Sequence, residues 1–233
     1  MPKKISKYII SLILCLAILP IQAQKSGRHI EVKTDTVKVN LYNGFTVYAD
    51  AASAVTSVIS KGETYSYEGA IQVNLLRKYF PILELGFAGA DKTSNNAINF
   101  NTNGLFGRLG VDFNLQKKGK DSKPTNNMFQ AGVRLGMSNF NYNITNAIVS
   151  DSYWGASEVI NYNNISTNKM WFEVVVGVRV EIVKNIFMGW SVRNKNLLSK
   201  DIPNSPNPWY IPGFGTNTGN SNWAINYVIG YHF

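Results

Sequence analysis

The chain has 233 residues, 23 basic and 14 acidic, for a formal charge of +9, with 45% hydrophobic residues and one cysteine, Cys15. A single cysteine excludes an internal disulfide framework, so a stable fold must come from burial and hydrogen bonding. Taken alone, the basic balance points to nucleic acid, to anionic lipid or to neither.

Residues 1–23, MPKKISKYIISLILCLAILPIQA, carry three lysines, an apolar run from Tyr8 to Leu19 and a small exit residue, Ala23. This reads as a cleaved secretory signal peptide, because a membrane helix needs about 20 apolar residues and this run is shorter. Leu14 stands where a lipid-attachment site at Cys15 would need a small residue. Cleavage leaves 210 residues with no cysteine and twenty basic against fourteen acidic groups, a formal +6. Export removes nucleic acid as a partner. Residues 24–43 are expected as a short periplasmic lead and 44–233 as a single domain.

From there the recurring signal is alternation, the period of a strand with two unlike faces. Eight segments show it: 44–51, 67–75, 82–90, 104–115, 128–138, 171–182, 186–193 and 222–233. One parity is wholly apolar, as in Leu105, Leu109, Val111 and Phe113, or Val174, Val176, Val178 and Val180. The opposite parity carries Asp50, Glu68, Glu84, Arg108, Asp112, Arg134, Glu173, Arg179, Glu181 and Arg193, interleaved with glycines such as Gly86, Gly132 and Gly177. A soluble ligand-binding barrel would turn the apolar set inward, but some forty mostly bulky side chains would overfill eight strands. A membrane barrel turns that set to lipid and the polar set inward, where glycines relieve crowding and arginines pair with acids. The cations agree: the seventeen lysines read as signal, tail, turn or loop residues, whereas four of the six arginines lie on the polar strand face. Guanidinium suits a desolvated carboxylate network better than ammonium does.

The expected fold is therefore all-β, an eight-stranded antiparallel transmembrane β-barrel, with short periplasmic turns and long extracellular loops. The connections after the second, fourth and sixth strands read RKYFP, QKKGKDSKPTNN and VKN, and those after the odd strands are longer. Short turns belong to the periplasmic side, which places the strand ending at Phe233 in descent to the periplasm. Residues 139–169, rich in Asn, are expected as an outer loop carrying Tyr153 and Trp154, and a last loop carries Trp209, Tyr210 and Phe214. These aromatics are candidates for surface recognition. The preferred reading, however, is that the proline-stiffened last loop folds over the barrel mouth and packs its own rings.

The closing residues Ile225, Tyr227, Ile229, Tyr231 and Phe233 resemble the assembly signal of Gram-negative outer-membrane proteins, a final aromatic preceded by alternating hydrophobics. More specifically, LYNGF (41–45), FPILELGFAGAD (80–91), FGRLGVDFN (106–114), NIFMGWSVR (185–193) and WYIPGFG (209–215) are similar to an uncharacterised Bacteroidota family of predicted small outer-membrane barrels, a domain of unknown function. The resemblance implies a fold, an outer-membrane location and, during biogenesis, periplasmic chaperones and the barrel assembly machinery as partners. It implies no activity.

Catalytic chemistry is weakly supplied. Outer-membrane enzymes that act on lipid A acyl chains use a histidine near the outer rim, but the only histidines here are His29, in the lead, and His232, at the periplasmic end. The pairs Glu173 with Glu181, or Glu84 with Asp112, have the residue types for acid–base work, yet arginines at comparable heights offer each a structural partner. GLFGRLG (104–110) lacks the lysine and helix of a phosphate loop. The reading is a monomeric, non-enzymatic barrel in outer-membrane lipid, with no cofactor or metal and a structural or surface-recognition role. Lipid modification or passage of small hydrophobic compounds are the alternatives.

Overall fold

The computed structural model describes residues 40–116, 127–150, 157–199 and 205–233. The expected signal peptide, most of the lead, and Tyr153 and Trp154 lie outside the described residues. Eight strands close a ring: β1 (Tyr42–Asp50), β2 (Thr64–Leu75), β3 (Tyr79–Thr93), β4 (Asn99–Asn114), β5 (Met128–Ser150), β6 (Ser157–Val183), β7 (Ile186–Leu197) and, last in the chain, β10 (Ser221–His232). Two short strands, β8 (Tyr210–Ile211) and β9 (Gly215–Thr216), form a separate small ribbon. All neighbours in the ring are antiparallel, and β1 meets β10 to close it.

Pairing register carries the two faces around the ring, with shifts only near the strand ends at Tyr42/Phe45 and Glu181/Val183 and in the upper part of the β5–β6 pair. Leu83 pairs with Leu109, Leu109 with Leu135 and Leu135 with Phe172, all pointing outward, while Glu84 pairs with Arg108 on the inside. A one-residue slip would exchange every inward and outward side chain. The outer face is apolar throughout: Leu105, Leu109 and Ile225 are 70%, 66% and 71% exposed, and Val133, Val174, Val176, Trp190 and Tyr227 continue the belt.

At the seam, Val47 pairs with Tyr231 and Ala49 with Ile229. The Phe233 N–H donates to the Phe45 carbonyl (2.9 Å), and the two rings stack with centroids 4.9 Å apart. Gly44, at φ +89°, lies against the Phe233 carbonyl oxygen, where a Cβ would collide. The last residue and the first strand therefore hold each other through both backbone and ring.

Three expectations change. Residues 139–150 and 157–169 are strand and not loop: β5 and β6 run for 23 and 27 residues and pair from Met128–Arg179 up to Ser150–Ser157. Crossing a bilayer takes about 9–11 tilted residues, so this hairpin stands well clear of the ring. Its edges are locked by asparagines: Asn141 Nδ2 donates to Asn164 Oδ1 (2.9 Å), the Asn164 N–H to Asn143 Oδ1 (2.7 Å) and the Asn146 N–H to Asn161 Oδ1 (2.8 Å). The connection after β3 is likewise short, residues 94–98, because the flanking strands are longer than their apolar cores. Finally, residues 52–59 form a helix, α1 (Ala52–Ile59), with the Asp50 carboxylate accepting the Ala52 N–H (2.9 Å), one of the donors a helix start leaves free.

Deleting Phe233 should remove the seam's last backbone bond and its ring stack, and so leave exposed strand edges that hydrocarbon does not tolerate. The shortened chain is expected to lose the mobility shift of an unheated gel sample, while His232→Ala, which forfeits mainly one contact to Thr46 Oγ1 (3.0 Å), should keep it. Retention of the shift without Phe233 would sink this account.

Candidate functional site

The interior has two storeys. In one, four carboxylates meet three guanidiniums. Glu84, on β3, is the hub: Arg193 Nη1 lies 2.7 Å from its Oε2, Arg108 Nη1 3.0 Å from the same oxygen, and Arg134 Nε 3.1 Å from its Oε1. Arg108 also reaches Glu68 (2.7 Å), and Arg134 holds Asp112 in a two-pronged contact (2.9 Å each). Arg108 Nε lies 2.8 Å from Glu173 Oε1, close enough to pair although its N–H is not aligned for a hydrogen bond. Glu173 is completed by the Trp171 indole N–H (2.6 Å) and Asp112 by Gln72 (2.7 Å). Glu84, Asp112 and Glu173 are at most 1% exposed. Charges taken this far from water are tolerable only when paired and hydrogen-bonded.

Strand pairing sets these heights. Arg134 sits directly opposite Glu173, and Glu84 opposite Arg108, so acids and bases of neighbouring strands meet across the narrow ring. Small residues make room: Gly132 lies against the Asp112 carboxylate and Gly136 against the Trp171 indole.

Not every expected member joins. Arg179, expected to pair with an acid, instead donates to Gln72 and to Gln130 (3.0 Å) and lies over the Tyr48 ring, 4.5 Å from its centroid. Asp50 accepts from Asn226 (2.7 Å) and caps α1, and Glu181 accepts the Asn185 N–H (3.0 Å) at the opposite end. Both sit at strand ends, outside the vertical reach of the hub. Gln72, Gln130 and Trp171 were missed as lumen residues because only charge was used to select them. Their parity places all three on the inner face.

The second storey is apolar. Phe100, Phe106, Phe140, Tyr142 and Trp171, on the lumen side of β4, β5 and β6, enclose Tyr210, Ile211 and Phe214 of the last loop. Tyr210 and Phe214, candidates for surface recognition, are instead 8% and 0% exposed, and Trp209 is partly buried against Phe100, with ring centroids 5.9 Å apart. Prolines and glycines shape this plug: Tyr142 donates its hydroxyl to the Pro206 carbonyl, and Gly213, at φ +81°, lies flat on the Phe106 ring, where a side chain would collide. Burial raises the Tyr142 phenol above its ordinary range and pushes Tyr210 up to about 12, so both remain protonated at neutral pH.

Two cations join the storeys. Arg108 Nη2 donates to the Gly213 carbonyl (2.8 Å), and Lys195 Nζ donates to the carbonyls of Gly213 (2.8 Å) and Phe214 (3.2 Å). Lys195 and Lys169 correct the expectation that lysines stay in loops: both lie on the inner face of long strands and are 6% and 1% exposed. The Lys195 ammonium, a compact charge with three donors on a flexible stem, spans two loop carbonyls at once, while Arg108 reaches one of them from the hub. Below the plug lie two small cavities of about 40 and 30 Å³, lined in part by Arg77, Asn74 and His232 and by Glu84, Arg134 and Arg193 respectively. Among the described residues no cluster of potential metal ligands occurs.

A closed antiparallel ring of eight strands with an apolar exterior, an ionic interior and an inserted plug defines a small β-barrel of the kind whose outward face seeks an apolar solvent. The chain belongs to the family described as a domain of unknown function (DUF6048), whose model matches residues 5–233. No curated protein matches it. Among solved structures, the crystal structure of Neisserial surface protein A (NspA) is similar at 10% sequence identity with a TM-score of 0.41, over 82% of this chain and 99% of that one.

Arg134→Ala should destabilise the barrel by about 3–5 kcal/mol, because Asp112 is left buried without its cation. Arg179→Ala, which gives up hydrogen bonds to neutral amides, should cost less, about 1.5–3 kcal/mol. Adding Asp112→Ala to Arg134→Ala should cost less than the two single changes together, since neighbours in one network are coupled. Urea midpoints in detergent read all four variants, and equal midpoints for Arg134→Ala and the parent would show the network to be dispensable.

Proposed function

We propose that the protein is a monomeric integral outer-membrane barrel that serves as a structural or surface-recognition element, without enzymatic activity and without a cofactor. The single observation that carries this is the apolar belt around a closed ring whose arginine and carboxylate hub turns inward. A closed ring leaves no unpaired edge where it lies in hydrocarbon, the condition for a sheet to cross a bilayer. The signal-like residues 1–23 support export, and the short turns beside Gly44 and Asn185 support a periplasmic placement of that end. Outer-membrane lipid is then its solvent, and the terminal pattern from Ile225 to Phe233 supports recognition by the barrel assembly machinery after periplasmic chaperones have carried the chain.

The surface role rests on the β5–β6 hairpin. Above Thr145 on β5 and before Trp171 on β6 these strands pair only with each other among the described residues. They present an asparagine-braced ribbon with few charges to the exterior, which suits contact better than catalysis. The four hub carboxylates favour the same reading, since each is held by arginine, and His232 sits at the base against Thr46 rather than beside any of them. The plug and hub further favour a lumen sealed along its axis, because the two cavities below the plug are the size of a few water molecules.

Val176, on the outer face midway along β6 and opposite Ala131 and Val192, should lie near the bilayer midplane. Val176→Arg should then cost about 2–4 kcal/mol in lipid vesicles. In planar bilayers the purified protein is expected to show no stepwise conductance. Unchanged stability of Val176→Arg would overturn the membrane reading, and steady channel steps would overturn the sealed core.

A further inference from the structure

The ring is closed below and split above. β10 pairs with β7 along its whole length, from Ser221 to Tyr231, but with β1 only from Val228 to His232. On the other side β2 pairs with β1 only from Gly69 to Leu75, so Thr64 to Glu68 have no strand on that flank. The last link across the seam is the Ala51 N–H to the Tyr227 carbonyl (2.8 Å), above which the chain turns into α1. Odd residues of β10 aim their backbone groups at β1, as Tyr227 and Phe233 do, so Trp223 and Ile225 direct theirs at an edge that no strand fills. Helix α1 leans on β2 and touches β10 less.

Behind this edge lies a cleft of about 570 Å³, within the size range of ligand pockets. Its lining joins the two faces that most of the wall separates. Outward residues Val192, Trp223 and Ile225 form one side, and inward residues Ser66, Glu68, Arg108 and Lys195 form the other. Trp223 and Ile225 are 69% and 71% exposed, part of the same apolar belt. Split strand edges are untenable in hydrocarbon unless they line a polar cavity or are covered. An interfacial tryptophan beside such an edge marks the level where lipid head groups meet chains.

We propose that this split is a lateral opening that takes one amphiphile from the outer leaflet, with its chain against Val192, Trp223 and Ile225 and its head in the polar half of the cleft. The proposal rests on the membrane reading above. Two cations, Arg108 and Lys195, and two carboxylates, Asp50 and Glu68, leave the polar half without formal net charge. Those cations already hold the Gly213 carbonyl, and Ser53, Thr56 and Asn226 donate to Asp50, Ala52 and Ser53, so the head meets the Ser66 hydroxyl, the oxygens of Ser53, Thr56 and Asn226, and the outer faces of the two opposed charge pairs. The fit is to an uncharged or zwitterionic head, not to an anion. Lipid molecules of the belt are already seated against Trp223 and Ile225, so entry needs no transfer through water.

The test uses the full barrel in detergent with dioleoyl phosphatidylcholine as the probe, and native mass spectrometry as the readout. The parent is expected to retain one phosphatidylcholine per barrel. Ala224→Trp, which fills the cleft from its inner side, should lose that adduct, whereas Val133→Trp, outward on the far wall, should keep it. Unheated gel mobility reports whether each variant is folded, and Ser66→Trp replaces Ala224→Trp if the latter is not. No adduct on the parent, or an adduct that survives cleft filling, overturns the opening. A parent that forms dimers without lipid also overturns it and assigns the open edges to a strand of a second copy. Flotation of the parent with phosphatidylcholine vesicles is read separately, so failure to insert condemns the membrane reading, and insertion without an adduct condemns only the opening.

Discussion

Glu84 and the guanidiniums of Arg108, Arg134 and Arg193 are the contact on which the rest of the structure depends. Eight strands enclose a lumen too narrow for bulk water, and the inward face of those strands carries charge. Once the ring closes, each charge must find an opposite charge inside, because the desolvation of an unpaired one would outweigh any single gain of folding. Three arginines from three strands converge on one carboxylate, so the hub also fixes the relative heights of β3, β4, β5 and β7. It acts as an internal register pin that the apolar exterior, facing a featureless solvent, cannot supply.

The plug extends the same logic upward. Arg108 serves both storeys, pairing with Glu68 and Glu84 on one side and with the Gly213 carbonyl on the other, while its guanidinium lies over the Phe106 ring, 4.6 Å from the centroid, against which Gly213 is also packed. The apolar cluster around Phe214 is thus tied to the ionic hub rather than merely resting on it. Asn222, from β10, adds hydrogen bonds to the carbonyls of Phe214 (3.1 Å) and Thr216 (3.3 Å). The interior is consequently solid where β1 to β10 close, and the volume that remains lies at the split beside α1.

Much of this was legible as a set and not as a structure. Period two assigned inner and outer faces to all eight strands correctly, since alternation reports side-chain direction without needing partners. It could not report how far a strand continues once both faces become polar. Residues 139–169 lost their apolar face above the membrane level and read as a loop, yet β5 and β6 continue by pairing with each other. Helix α1 was invisible for a related reason: ASAVTSVI has no strong helical period, and its start depends on the Asp50 carboxylate.

The sequence by itself determined the fold class, the inward arginines and carboxylates and the closing strand, because parity, glycine placement and arginine choice are local properties of the chain. Only the tertiary structure decided who pairs with whom. Strand stagger placed Arg134 beside Asp112 and Glu84, but left Arg179 to Gln72 and Gln130, and carried Asp50 and Glu181 out to the ends. It also turned Tyr210 and Phe214 inward and brought Lys195 under their backbone. The split between β2 and β10 depends on where β1 stops relative to strands more than 150 residues away, at Asp50 opposite Val228. Heights and partners of this kind arise from closure of the ring, a constraint that no window of the sequence contains.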